Sequence, residues 1–185
     1  MAAAKKVNFF QNYRKRAVPY TITLVVIVLL FVFMATYVMS SLLVILTIAL
    51  SIIIGLANLK WTGLELVTLT TVLFGMSFGS SSGAIIGLIL VVLHLILGRY
   101  SPNIYIFWVI PSFVIAGAVA GMFPEASVAT VGITIVVILH VVDTLLTALL
   151  SAPSLPKYLS YAVFNLIFNI IIFSLVAPKI MLVLV

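Results

Sequence analysis

Asp143 stands inside an otherwise apolar run, with His140 three residues before it, Thr144 beside it and Thr147 four residues on. Helical positions three and four apart share a face, so His140 and Asp143 are expected to meet and hydrogen-bond. A carboxylate touching an imidazole can relay a proton or hold a cationic or polar group. Equally, the imidazole can neutralise the carboxylate, or Asp143 can sit protonated and fix helix packing. Asn165 and Asn169 follow at i, i+4 spacing, with Tyr158 and Tyr161 on nearly the same side. Such an amide ladder either lines a ligand pocket or glues helices together, at about 1 kcal/mol per interhelical bond. If the two segments pack as an antiparallel hairpin about the loop at 151–157, Asp143 comes level with Tyr161 or Asn165. His140, Asp143, Tyr161, Asn165 and Asn169 then form one polar cluster, the candidate ligand-binding site.

The remaining polar residues read more plainly. Glu65 opens its segment, where the positive end of a helix dipole favours an anion, and Lys60 is near enough in sequence to pair with it. His94 lies one turn from Arg99 and reads as an interfacial histidine, while Trp61 and Trp108 read as membrane-belt or packing aromatics. With no cysteine, the chain has no disulfide, thiolate metal site or Cys nucleophile. No HExxH, P-loop or Ser/His/Asp arrangement is present. Three acidic residues and two histidines leave hydrolytic or transfer chemistry little to work with. The expectation is a protein that is not an enzyme and uses no metal and no cofactor.

The segments that must position these residues follow from composition. The chain is 65% hydrophobic and 6% charged, with a mean hydropathy of +1.46. A soluble domain carries roughly a quarter of its residues charged, so this apolar surface is expected to face lipid. The reading is an all-α integral membrane protein, a polytopic helical bundle of six to seven transmembrane helices. Residues 1–17 form a basic, aromatic cytoplasmic tail or interfacial helix, and residues 18–185 a single transmembrane domain. Apolar stretches are expected at 19–39, 42–59, 64–78, 84–97, 104–123, 128–150 and 158–184, with a tight hairpin near Tyr37–Ser41 separating the first two. Five of the nine basic residues (Lys5, Lys6, Arg14, Lys15 and Arg16) precede the first stretch. That excess reads as an anchor at the cytoplasmic face of the cell membrane and not as a nucleic-acid surface. Seven crossings with the N-terminus inside would also put Lys60, Arg99 and Lys157 in the cytoplasm and Glu125 outside.

Small residues are patterned too. Gly75, Gly79, Gly83 and Gly87 recur every four residues with Ser80, Ser81 and Ser82 among them, and Gly117 and Gly121 repeat the spacing beside Ala116 and Ala120. Such spacing lets helix backbones approach closely, or lets a hairpin tip exist at membrane depth; the glycines are packing or hinge candidates. The string Leu73-Phe74-Gly75-Met76-Ser77-Phe78-Gly79-Ser80-Ser81-Ser82-Gly83-Ala84-Ile85-Ile86-Gly87 resembles the helix–tight turn–helix of the S components, the substrate-binding membrane subunits of energy-coupling-factor vitamin transporters. Ile115–Gly121 is similar to their later Ala/Gly-rich helix. The rod-shape-determining MreD family has a comparable outline, including asparagines within an apolar last helix as at Asn165 and Asn169. The first resemblance implies six helices and a small-molecule uptake subunit energised by a partner chain. The second implies a non-catalytic scaffold or accessory subunit of a larger membrane complex. Expected partners are the lipid bilayer, another membrane protein subunit and a small-molecule ligand.

Overall fold

In the computed structural model of the chain, the backbone is described for residues 2–101 and 103–184, and side chains for the same residues apart from 2–18, 32 and 33. The side chains on which the reading of the 1–17 tail rests lie outside the described residues. Among those described there are seven α-helices and no strand: α1 (Ala2–Ala57), α2 (Val67–Phe78), α3 (Ser80–Leu97), α4 (Ile106–Ala120), α5 (Val128–Leu150), α6 (Leu155–Leu175) and α7 (Ala177–Leu184). Four stretches are long and apolar enough to cross a membrane: Pro19–Ala57, Ser80–Leu97, Val128–Leu150 and Ala152–Leu175. The chain divides into two compact units, Met1–Val38 and Met39–Val185.

In the first unit, the described side chains of the α1 stretch from Pro19 onward are mostly exposed, with Tyr20 at 75% and Phe31 at 76%. A helix apolar on every side belongs in lipid or against other apolar helices. The hairpin expected near Tyr37–Ser41 is not formed, because the helix runs unbroken from Ala2 to Ala57. Neither Gly nor Pro occurs between Pro19 and Gly55, and serine hydroxyls can bond to carbonyls of the preceding turn without breaking a helix. Ser40 and Ser41 were therefore insufficient punctuation. Without that hairpin, the count of crossings no longer assigns Lys60, Arg99 and Lys157 to the N-terminal side.

The second unit is a bundle. α1 ends at Asn58, whose φ of 54° is a left-handed cap conformation, and Leu59 N–H donates to the Ile54 carbonyl at 3.0 Å. A non-helical stretch with one 3-10 turn at Lys60–Thr62 leads to α2. α2 and α3 meet at Gly79 with no intervening loop. Its φ of 89° and ψ of 168° fall in a region essentially reserved for glycine, although an added Cβ there would meet no neighbour. The glycine repeat therefore does not lie along a single helix face, since Gly75 is on α2 while Gly83 and Gly87 are on α3. It converges on α4 instead. A Cβ at Gly83 would lie 2.3 Å from the Gly117 carbonyl oxygen, and one at Gly75 would lie 2.5 Å from the same atom. Gly87 meets the Phe113 carbonyl in the same way, and Gly121 meets Ser80. The small residues thus serve three-way packing of α2, α3 and α4 inside the chain.

One apolar core joins Leu69, Val72, Leu73 and Met76 of α2 to Ala116 and Ala120 of α4, Ile135 and Val136 of α5, Phe173 of α6, and Ala177 and Leu184 of α7. A smaller cluster, Val67 with Leu90 and Val91, holds α2 to α3. α5 occupies the stretch expected for the sixth segment, and α4 continues through Pro111. The expected last segment is divided instead into α6 and α7 at Val176. Pro178 explains the break: it lacks the N–H that would bond to residue 174, and its ring clashes there.

Candidate functional site

Two side-chain hydrogen bonds tie α1 to its neighbours beside the site. Thr47 Oγ1 donates to the Leu43 carbonyl at 2.8 Å, so its 2.7 Å contact with Thr70 is donated by Thr70. Ser51 Oγ donates to the Thr47 carbonyl at 2.8 Å and accepts from His94 Nδ1 at 2.9 Å. His94 is buried within the protein, and α1 supplies this partner.

α5 and α6 are joined by a short connection containing Ala152–Ser154 and pack against each other as the sequence predicted. His140 lies ten residues before the end of α5 and Asn165 ten residues into α6. At 1.5 Å per residue, both are about 15 Å from the connected end. His140 Nε2 is 2.8 Å from Asn165 Oδ1, and its Nδ1 is 3.0 Å from the Tyr158 hydroxyl. An amide oxygen only accepts, so Nε2 carries the donated hydrogen; in the neutral ring Nδ1 then accepts from Tyr158. The expected His140–Asp143 hydrogen bond is not made. His140 turns to α6, and Asp143 accepts from Ser112 Oγ of α4 at 3.4 Å.

The asparagines hold something the sequence did not show. Asn165 Nδ2 donates to the Gly63 carbonyl at 2.7 Å and to Glu65 Oε1 at 3.3 Å, and Asn169 Nδ2 lies 3.3 Å from the same oxygen. The non-helical stretch before α2 therefore descends to mid-bundle depth, which is why α2 has 12 residues beside the 18 of α3. Irregular backbone at such depth must find its partners within the protein or a wet cavity. Gly63 makes the descent possible. Its φ is 65°, and a Cβ there would lie 2.5 Å from Asn165 N and 2.7 Å from the Tyr161 carbonyl oxygen. Glu65 accepts from Thr68 N–H at 2.8 Å and Thr68 Oγ1 at 2.6 Å, the helix-capping role expected of it. At 2% exposure it is also the hub joining α2 to α6. Lys60 does not pair with it; its ammonium donates to the Arg99 carbonyl and sits 5.7 Å over the Tyr100 ring.

Above this floor is a cavity of about 320 Å³, at the small end of the range for small-molecule sites. Of the five sequence-predicted ligand residues, His140, Asp143, Tyr161 and Asn165 line it, whereas Asn169 lies behind Asn165, fully buried, with its Oδ1 unpartnered. Glu65, His94 and Tyr100 also line it. Trp108, expected as a belt or packing residue, lines the cavity as well. It is 7% exposed, and its indole Nε1 has no hydrogen-bond partner. The one sequence signal for it was its i, i+4 relation to Ser112, which puts both on the face of α4 turned toward Asp143. Among the described residues no group of three or more His, Cys, Asp or Glu could hold a metal ion.

No protein-family model, curated protein or solved structure matches the chain.

Proposed function

We propose that the chain is an integral membrane protein that binds a small molecule in this cavity, and that it serves as the substrate-binding subunit of an uptake transporter energised by a partner chain. The observation that supports this most directly is a cavity of ligand size walled by α2 to α6, with polar groups recessed about 15 Å into an otherwise apolar bundle. The chain crosses the membrane six times in this reading. α2 and α4, too short alone for a core about 30 Å thick, complete their passes with the non-helical segments leading into them. The N-terminal cluster of basic residues favours a cytoplasmic N-terminus. The S-component resemblance accords with the α2–Gly79–α3 turn and with this count. A second reading, an accessory or scaffold subunit, draws support from the exposed apolar surface of Pro19–Val38. The glycine faces do not favour it, since they are occupied within the chain.

The test is thermal unfolding of the detergent-solubilised protein against a panel of cationic, neutral and anionic small molecules. A ligand at a hundred times its Kd stabilises by about 2.7 kcal/mol. At least one probe should raise the Tm of the wild type and not that of the folded Asp143→Ala/Asn165→Ala variant. Equal shifts in both would remove the cavity as the site. Mild-detergent purification should bring down an ATPase-containing partner; a large complex without one would favour the scaffold reading.

A further inference from the structure

We propose that the cavity selects a small organic ammonium ion carrying a hydrogen-bond acceptor, with Asp143 and Trp108 as its two anchors. The inference rests on the ligand-binding reading above and names the chemistry of that ligand. The chain has only three acidic residues, and two of them, Glu65 and Asp143, line this one cavity. They are not equivalent. The Glu65 carboxylate receives donors from Thr68, Asn165 and Asn169, so its hydrogen-bonding is complete within the protein. Asp143 is 6% exposed and accepts a single long hydrogen bond from Ser112. A carboxylate so nearly removed from water calls for a cation or a proton. The nearest candidate inside the protein, His140, is committed to Tyr158 and Asn165, and Lys60 is turned to Arg99 and Tyr100.

Trp108 is the second and independent sign. Indole N–H is a donor only, and a buried donor without a partner is uncommon enough to need an explanation. Trp108 and Ser112 are one helical turn apart on α4, and Ser112 touches Asp143. The unpartnered donor and the under-satisfied carboxylate therefore belong to the same wall of the cavity. Between them they complement a ligand that carries both a positive centre and an oxygen acceptor. Tyr100, Tyr158 and Tyr161 line the same space, and aromatic rings attract cations without requiring a second charge. Lys60 and Lys157 also line the cavity, so an anionic ligand would have to settle on them at a distance from Asp143, and a wholly apolar one would leave both anchors unpaired.

The experiment compares choline, its neutral carbon isostere 3,3-dimethylbutan-1-ol, tetramethylammonium and propionate, titrated calorimetrically into the full-length protein in detergent. Choline should bind; the isostere should bind at least tenfold more weakly, tetramethylammonium several-fold more weakly, and propionate not at all. Asp143→Asn, which keeps the side chain's volume, should weaken choline at least tenfold. Trp108→Phe should weaken choline several-fold and tetramethylammonium hardly at all, a difference that general loss of packing does not produce. Helical circular dichroism and a monodisperse elution profile qualify each variant. Choline binding equally to wild type and Asp143→Asn, or no more tightly than its isostere, overturns the proposal. If the ammonium probes fail while propionate or a neutral molecule of the wider panel binds, cation selectivity falls and the ligand-binding reading stands. If no probe of any charge class binds, both fall.

Discussion

Replacing Gly83 with alanine opposes two effects of different sign. Gly83 lies inside α3, and alanine is favoured over glycine in a helix interior by about 0.5–1 kcal/mol. Helix propensity alone therefore predicts stabilisation. The added Cβ, however, would stand 2.3 Å from the Gly117 carbonyl oxygen and 2.6 Å from the Gly75 Cα. Both neighbours are backbone, so no side chain can rotate away, and α3 must move about 1 Å to restore ordinary contact. Overpacking of this kind costs about 1–3 kcal/mol, and a backbone obstacle belongs in the upper half of that range. The net expectation is a loss of about 1–2 kcal/mol. Ser81→Ala, two residues away at an exposed position, should stay within about 0.5 kcal/mol of wild type. Unfolding of the micellar protein by sodium dodecyl sulfate, followed by tryptophan fluorescence, measures all three. A Gly83→Ala protein as stable as wild type, or more so, would refute the three-way backbone packing of α2, α3 and α4.

Two further outcomes follow from geometry that departs from the sequence reading. In double-mutant cycles, His140→Ala with Asn165→Ala should show a coupling of about 0.6–1.7 kcal/mol, the range for hydrogen bonds between membrane helices. His140→Ala with Asp143→Ala should show a smaller coupling, since the two side chains share no hydrogen bond, and a coupling as large as that of His140 with Asn165 would restore the rejected pair. Because the chain has no cysteine, Ser41→Cys provides a unique label site. A nitroxide attached there should report the ordered motion of a helix, whereas the fast motion of a turn would reinstate the hairpin.

Apolar patterning was enough to anticipate α5 in full and most of α2 to α4, because Pro, Gly and charged residues punctuate those stretches. Failure came where the punctuation was ambiguous. Ser40 and Ser41 resemble a turn but are compatible with helix, while Pro178 near the end of a long apolar run was taken as part of one segment. The candidate site was legible as residue types and depths: His140, Asp143, Tyr161 and Asn165 do share a cavity. Their partners were not, because i, i+3 spacing states which side chains are near and not which way an imidazole turns. Glu65 gave only its local signal, the cap on Thr68. Its bonds to Asn165 and Asn169 bridge about a hundred residues, and no local pattern records a contact of that range. Trp108 was lost among apolar neighbours, since an indole's unmet donor has no signature in composition.

The descent of the Gly63–Glu65 stretch constrains how the molecule is made. Its carbonyl and carboxylate obtain their amide donors from residues that the ribosome supplies some hundred positions later. Until α6 arrives, a newly inserted α1–α2–α3 intermediate holds a polar strand with nothing to satisfy it except water or the insertion machinery. Closure of the bundle around Glu65 therefore waits on α6, and a chain truncated before Asn165 is expected to leave this stretch without its amide donors.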